Sequence, residues 1–578
     1  MNDLSPLSGH IVVFGFHGVG RRIVRQLSSI GHTVVVIDSQ ASISEQEDLQ
    51  RWGITYLAGY GDSEDTLSAA SVTTALAVLC VTDDDVRNTR LALLVRDRSA
   101  EVRLVVRIAN SAVSRALHEV AQPGAVLDVA ALASPSFVEA VLDRTTHELT
   151  LGGVEFIIDT IDSRRDGTMR SLGKEFTPIA IRAGGTTQTT CLPDADHPVR
   201  VGDFITVIGT REDYRAYGIE PNLGTEVSAG PNLRRRIREL IAAMSDAVDR
   251  PFRIAALILG ILFVSSFFIL ILGYEESDGT RMDPLDALYF TSETIATVGF
   301  GDFYFREQPT WLRLWAIVLI LMGAALVAIA TALLTNALVS RRLEQSLGRQ
   351  RLTGMRDHIV VIGLGSVGSK VAMDLHAAGH EVAVIDSGDG RRFIPQMRAA
   401  RIPVLIGDAT LAETQVGAGI ERAAGVAVLT SDDLVNIEMG LAVRGVIGER
   451  EVPIALRVFS RNLARVIGSG LDAGVARSIA ELAKPWFVGE TLGLEVLGPF
   501  YIDTSLFMAI GVDCISGGRL EGIAPAQVGP SIRVVAVRRG GPTGAVEQVR
   551  ADSAPLGIGD RAYVIGLYQD VFAALHRS

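Results

Sequence analysis

One sequence plan is written twice in this chain of 578 residues, once on each side of two long apolar stretches, and this limits the fold more than any other feature. Ile11-Val12-Val13-Phe14-Gly15 matches Ile359-Val360-Val361-Ile362-Gly363, and Val34-Val35-Val36-Ile37-Asp38 matches Val382-Ala383-Val384-Ile385-Asp386. Further pairs keep a nearly constant offset: Gly61-Asp62 with Gly407-Asp408, Asp84 with Asp432, Asn88 with Asn436, Arg107 with Arg457, and Ser134-Pro135 with Lys484-Pro485. Short β-branched runs alternating with helical stretches predict βαβ units around a parallel sheet in each copy. A smaller unit closes each copy, marked by Val201-Gly202-Asp203 and Ile558-Gly559-Asp560, each followed by an apolar strand.

The apolar stretches, Phe252–Gly273 and Trp311–Val339, are each long enough as helices to cross about 30 Å of hydrocarbon at about 1.5 Å per residue. Two spans return the chain to its starting side. Arg234, Arg235, Arg236, Arg238, Arg250 and Arg253 precede the first and Arg341, Arg342, Arg349 and Arg351 follow the second, so both ends are expected in the cytoplasm. The connection between the spans, with Glu275, Glu276, Asp278, Asp283, Asp286 and Asp302, is expected to face outward. Neither span carries the arginine series of a voltage sensor. A net charge of −12 argues against nucleic acid as a partner, because no cationic excess is present to replace phosphate counterions. Cys80, Cys191 and Cys514 lie far apart without metal-ligand spacing, which suits a reducing compartment. Met1 to His10 lacks the basic and apolar regions of a secretory signal.

Between the spans, Pro284 to Ala296 reads as a short helix leading into Thr297-Val298-Gly299-Phe300-Gly301-Asp302. Glycines at 299 and 301 permit left-handed backbone, so the carbonyls of Thr297, Val298, Gly299 and Phe300 could face one axis and replace the water of an ion. The segment resembles the selectivity filter of tetrameric potassium channels, and residues 251–342 resemble their minimal two-span members. The resemblance implies potassium at those four carbonyls and a ring of four chains. It also implies a hydrogen-bonded pair of Glu293 and Asp302 behind the filter, where solvated mouth acids are the alternative. Phe300 stands where tyrosine is commoner. Gly323 falls where related channels place a gating hinge, and a helix-packing glycine is an equal alternative. Thr331 and Thr335 would face the inner cavity if the second span lines the pore.

In the second copy, Gly363-Leu364-Gly365-Ser366-Val367-Gly368 follows a strand and opens a helix, with Asp386 at the end of the next strand. The first glycine allows a tight turn, the second lets backbone reach a pyrophosphate, the third packs helix on strand, and Asp386 can bind ribose hydroxyls. In the first copy, Gly15-Phe16-His17-Gly18-Val19-Gly20 keeps Asp38 but places His17 on the pyrophosphate path, so a weaker or different site and a structural remnant both remain open. The repeated lobes resemble the regulator of potassium conductance, or RCK, domain. That resemblance implies that Gly407-Asp408-Ala409 and Thr430-Ser431-Asp432 border adenine and ribose, that Arg457 lies near phosphates, and that Asp62 and Arg107 take these places in the first copy. Asp408 and Asp432 also read as helix caps. Asp83-Asp84-Asp85 reads as caps and loop acids rather than a calcium site.

The expected architecture is mixed: two α/β Rossmann-like RCK domains, each with a small α/β lobe, flanking an all-α two-helix pore. The expected segments are 8–148 and 149–220 for the first copy, an amphipathic linker at 221–250 holding an apolar stripe from Asn232 to Asp249, the pore at 251–342, a linker at 343–356, and 357–495 and 496–578 for the second copy. The expected function is a plasma-membrane potassium channel gated by NAD(H), ADP or ATP, a homotetramer whose pore lies in the lipid bilayer and whose eight RCK domains form a cytoplasmic ring. A regulatory subunit of another transporter would not need Thr297 to Asp302. A tethered NAD-dependent oxidoreductase would need an acid, base or metal constellation that the sequence does not place.

Overall fold

The strands at the heart of each copy, Ile11–Phe14, Val34–Asp38, Ile359–Ile362 and Val382–Asp386, are buried along their whole length. A run of Val and Ile without alternation requires this in a parallel sheet covered on both faces. The computed structural model describes residues 7–109, 111–144, 146–172, 176–186, 188–220, 250–276, 279–347, 352, 355–459, 474–518, 520–550 and 553–576. The apolar stripe expected from Asn232 to Asp249 lies outside them. The chain divides into two units, Met1–Ser228 with Met355–Ser578, and Ala229–Gly354.

In the first unit, both copies build a six-stranded parallel sheet in one spatial order, the third, second, first, fourth, fifth and sixth strands in sequence. That is the doubly wound Rossmann order, whose reversal beside the first strand opens a crevice at the strand ends. The small lobes repeat each other as well. Each is a five-stranded antiparallel sheet, and Phe204–Thr210 and Arg561–Leu567 are the strands that follow the two Gly-Asp pairs. Asp203 accepts from the amides of Gly184 and Arg200, and Asp560 from those of Gly557 and Gly540, which explains the repeated acid at the strand entrance.

The helix after each parallel sheet does not cover its own copy. Helix Val129–Val141 packs on helix Ser366–Ala377 and the second sheet, while helix Ile479–Leu492 packs on helix Val19–Ser29 and the first sheet. Ser134 Oγ donates to Asp374 Oδ2 at 2.6 Å, and Arg22 Nη1 donates to Glu481 Oε1 at 2.6 Å. One apolar core therefore holds residues of both copies, with Phe137 and Phe487 fully buried in it, and a second joins Leu149 and Phe156 of one small lobe to Phe500 and Phe507 of the other. The copies are halves of one interlocked body.

The second unit has three helices, Arg250–Gly273, Pro284–Ile295 and Thr310–Leu347. Leu262, Leu270, Phe290, Leu312 and Leu319 form its buried centre, while Leu257, Ile261, Phe268, Leu314 and Leu321 stay exposed. Helices apolar on every side belong in lipid or against further helices. Among the described residues, Thr310–Leu333 is long and apolar enough to cross a membrane, while the apolar run Leu257–Gly273 of the first helix is shorter.

A shared core makes the copies unfold together. Phe137→Ala and Phe487→Ala should each cost about 3–5 kcal/mol. Hydrogen exchange on the full chain should show protection lost in both copies for either variant, and loss confined to the copy whose sequence was altered would contradict the exchange.

Candidate functional site

Asp283 caps helix Pro284–Ile295, accepting from the Leu285 amide at 3.1 Å, with Pro284 at the first helical position. The helix ends where the Val298 amide bonds the Glu293 carbonyl at 2.9 Å, and the chain then leaves through Thr297, Gly299 and Gly301 at φ of 59°, 60° and 83°. Positive φ suits the two glycines, whereas Thr297 is β-branched and adopts it against its own preference. The two expected carboxylates take separate partners: buried Glu293 accepts from the Phe300 amide at 3.3 Å, and Asp302 accepts from the Tyr289 hydroxyl at 3.2 Å. No hydrogen bond joins Glu293 to Asp302 among the described residues. Tyr289 stacks on Phe300 with ring centres 6.4 Å apart, and Phe290, Phe303, Phe305 and Tyr274 pack behind.

Helix Thr310–Leu347 runs unbroken through Gly323. A Cβ there would lie 3.2 Å from Ile295 Cα, so this glycine lets the last turn of the short helix close on the long one. The packing alternative is the one this contact supports. Thr331 and Thr335 are exposed, and each hydroxyl donates to the carbonyl four residues earlier, at 2.9 Å.

In the second Rossmann lobe, Gly363 turns the chain at φ 98°, and Gly368 sits so close that a Cβ would overlap the Gly363 carbonyl oxygen. Gly365 has open space around the position of a Cβ and heads helix Ser366–Ala377 without a side-chain cap, leaving first-turn amides available to an anion. Leu364 and Val367 are buried beneath the turn. Asp386 is committed differently from the expectation. Its oxygens accept from the amides of Leu364, Gly388 and Gly390 at 2.7, 2.8 and 2.9 Å, so this carboxylate ties the glycine loop to the strand end. Oδ2 has one of these three bonds and keeps capacity for a ribose hydroxyl.

The first copy repeats the tie, with the Phe16 amide donating to Asp38 at 2.7 Å. His17 Nδ1 lies 3.2 Å from Glu45 Oε1, and its Nε2 lies 4.0 Å from Asp38 Oδ2. Burial works against the Glu45 carboxylate, but hydrogen bonds from Ser42 together with His17 outweigh it and hold its pKa below the ordinary value. Gly15, Gly18 and Gly20 hold the same turn, with Val19 buried at the helix start. A cleft of about 570 Å³ opens here, lined by Gly15, His17, Asp38, Asp62, Thr82 and Asp84, and by Tyr60, Arg87 and Arg90, which sequence reasoning missed. Arg87 lies over the Tyr60 ring at 4.9 Å, and Arg90 pairs with Asp62 at 3.3 Å. Aligning the copies would have exposed them, since Arg87 and Arg90 stand where the second copy has Val435 and Glu438.

Asp432 caps its helix through the Leu434 and Val435 amides at 2.8 and 3.2 Å. Asp408 is not a cap: it accepts from the Thr410 amide and hydroxyl at 2.9 and 2.7 Å, which hold its pKa below the ordinary value, and Leu411 stands at the head of the next helix. Gly407 packs near Thr414, Ala409 is buried, and Thr430 donates to Asn436 at 2.6 Å, with Ser431 in the turn between. Burial brings Arg457 down to about 10, with Asp433 opposing and Arg107 adding to the shift; it stays charged at neutral pH and lies over the Phe459 ring. Arg107 donates to the Thr82 carbonyl at 2.9 Å and pairs with Asp83. Asp84 caps a helix and Asp85 accepts from the Ala109 amide, so the acid run is structural, and among the described residues no cluster could hold a metal ion.

The two glycines of the second loop should separate by stability. Gly368→Ala should cost about 1–3 kcal/mol by overpacking, while Gly365→Ala should stay within about 1 kcal/mol, as measured by denaturant melts of the full chain. Equal costs would contradict the close approach at Gly368.

Residues 11–125 and 359–475 match the TrkA-N domain family, and residues 256–340 match the ion channel family. The voltage-gated potassium channel Kch of Escherichia coli is 25% identical over 210 residues, 36% of this chain and 49% of that protein. Potassium channel protein 1 of Methanocaldococcus jannaschii is 21% identical over 224 residues, 37% of this chain and 66% of that protein. The crystal structure of the GsuK RCK domain aligns with 15% identity and a TM-score of 0.48 over 100% of this chain and 96% of that one. The chain spans 28% to 66% of the length of the curated relatives it matches. Two TrkA-N domains flanking an ion-channel domain in one polypeptide place the chain among the proteins that join RCK domains to a channel pore, one copy before the pore and one after it.

Proposed function

We propose that four copies of this chain form a potassium-selective pathway whose opening is set by nucleotide bound to the RCK domains. The observation that carries the reading is the segment Thr297–Asp302. Left-handed backbone at residues 297, 299 and 301 alternates along it and would turn successive carbonyls to one side. A helix whose negative end lies at Ile295 leads into it, which favours a cation beyond. Two relatives named as potassium channels support the choice of ion. In this reading Arg250–Gly273 and Thr310–Leu347 both cross the plasma membrane with the RCK domains in the cytoplasm, and Glu293 and Asp302 brace the filter through Phe300 and Tyr289.

Four chains bring eight RCK domains to a ring. Val86 and Leu93 are exposed seven residues apart on helix Asp85–Arg98, and Leu434 and Leu441 repeat the pattern on helix Asp433–Ile447. Matching apolar faces on both copies suit contacts between neighbouring chains. For the ligand, the open helix start at Gly365 and the spare capacity of Asp386 favour NAD(H), ADP or ATP in the second copy, while His17 limits the first to a smaller or weaker occupant. Gating requires that the ligand bind the closed and open forms unequally. Three relatives are named as potassium channels, and the Rossmann lobes are assigned sensing rather than hydride transfer.

The test is potassium flux through the purified chain in liposomes, with NAD, NADH, ADP and ATP added in turn. One of them should change the flux severalfold, and Gly365→Asp should abolish that response while leaving basal flux. Flux indifferent to all four, or a response that survives Gly365→Asp, would contradict nucleotide gating through this loop.

A further inference from the structure

The copies differ most at the junction between the second Rossmann lobe and its small lobe. Arg477 stands opposite Arg457 in the sheet where Leu127 stands opposite Arg107, and Leu567 stands opposite Phe507 where Thr210 stands opposite Phe156. In the first copy both helices that start here are closed by their own side chains. Asp128 accepts from the amides of Ala130 and Ala131 at 2.8 and 3.3 Å, and Thr210 with Asp213 forms a reciprocal capping box.

The second copy has lost both caps. Ser478 has the extended backbone of a cap residue before helix Ile479–Leu492, yet its Oγ makes no cap bond and has no partner, although the residue is 3% exposed. Leu567, before helix Tyr568–His576, has no side-chain acceptor. The first turns of these helices, 14 and 9 residues long, line one cavity of about 410 Å³ together with Arg477, Tyr501 and Ser505. The Arg477 guanidinium lies 4.2 Å from the centre of the Tyr501 ring, and its hydrogen bond is a long 3.5 Å contact to the Ala476 carbonyl. No carboxylate lies within ion-pair distance of it among the described residues.

We infer that this cavity is a phosphate-binding site, separate from the Gly363–Gly368 loop, for the phosphate monoester of a small hydroxylated molecule. Two uncapped helix starts and a guanidinium supply donors and positive charge, and Ser478 Oγ supplies a hydroxyl that nothing else uses. Two acids also line the wall. Glu481 is neutralised by Arg22 at 2.6 Å and Lys484 at 3.1 Å. Asp570 can accept from a ligand hydroxyl, which favours a monoester over free phosphate. In the first copy Leu127, Asp128 and Thr210 stand in these places, and both helix starts are capped.

Calorimetric titration of the full-length protein with inorganic phosphate and with ribose 5-phosphate tests this. Ribose 5-phosphate should bind saturably and more tightly than inorganic phosphate, and Gly365→Asp should leave it unchanged. Arg477→Leu should weaken it about tenfold or more. Ser478→Asp installs the cap that the first copy already folds with, so it should weaken binding to the same extent without loss of the fold. Tighter binding of inorganic phosphate would overturn the monoester assignment. Saturable binding of neither probe, binding lost in Gly365→Asp, or binding unchanged in Arg477→Leu or Ser478→Asp would overturn the site.

Discussion

Burial of each crossover helix on the other copy is the interaction on which the cytoplasmic unit depends. Phe137 leaves the first sheet and is buried in a core shared with the second, and Phe487 does the reverse. Neither Rossmann sheet can complete its covering alone, so the segments before and after the channel domain must fold as one body although more than a hundred residues separate them. A ligand that tightens one glycine loop acts on a core that the other copy shares. The small lobes extend the union, since Phe156 and Phe507 belong to a single apolar cluster.

Within that near-symmetric frame, the copies differ by single residues at their clefts. Gly365 leaves space where His17 fills it, and Arg87 and Arg90 furnish the first cleft where Val435 and Glu438 furnish the second. Asp128 closes a helix start that Ser478 leaves open. These changes fall at strand ends and helix starts, where backbone groups are free to meet a ligand, while the apolar strands beneath them stay interchangeable.

Much of this was legible in the sequence. The β-branched runs marked the parallel strands, the repeat marked which residues of the copies correspond, and Pro284 marked the start of the short helix. The exchange of crossover helices was not legible, because an apolar face such as Ala133 and Phe137 is satisfied by either sheet. The backbone partners of the carboxylates were hidden for a related reason: an acid at a strand end serves a ribose or a backbone amide equally well, and only the fold shows that Asp386 holds Leu364, Gly388 and Gly390. The partner of Asp302 was hidden likewise, since Tyr289 reaches it across the helix-to-loop corner through packing with Phe300.

Ion selection by Thr297 to Asp302, with the interlocked RCK pair as its control, is the central proposal. The most direct measurement is the reversal potential of purified protein in a planar bilayer with potassium on one side and sodium on the other. Selective conduction predicts a displacement from zero of about 59 mV for each tenfold preference for potassium, reduced toward zero by Gly301→Ala. A reversal potential at zero for the unaltered chain, with current flowing, would contradict the filter and the account built on it.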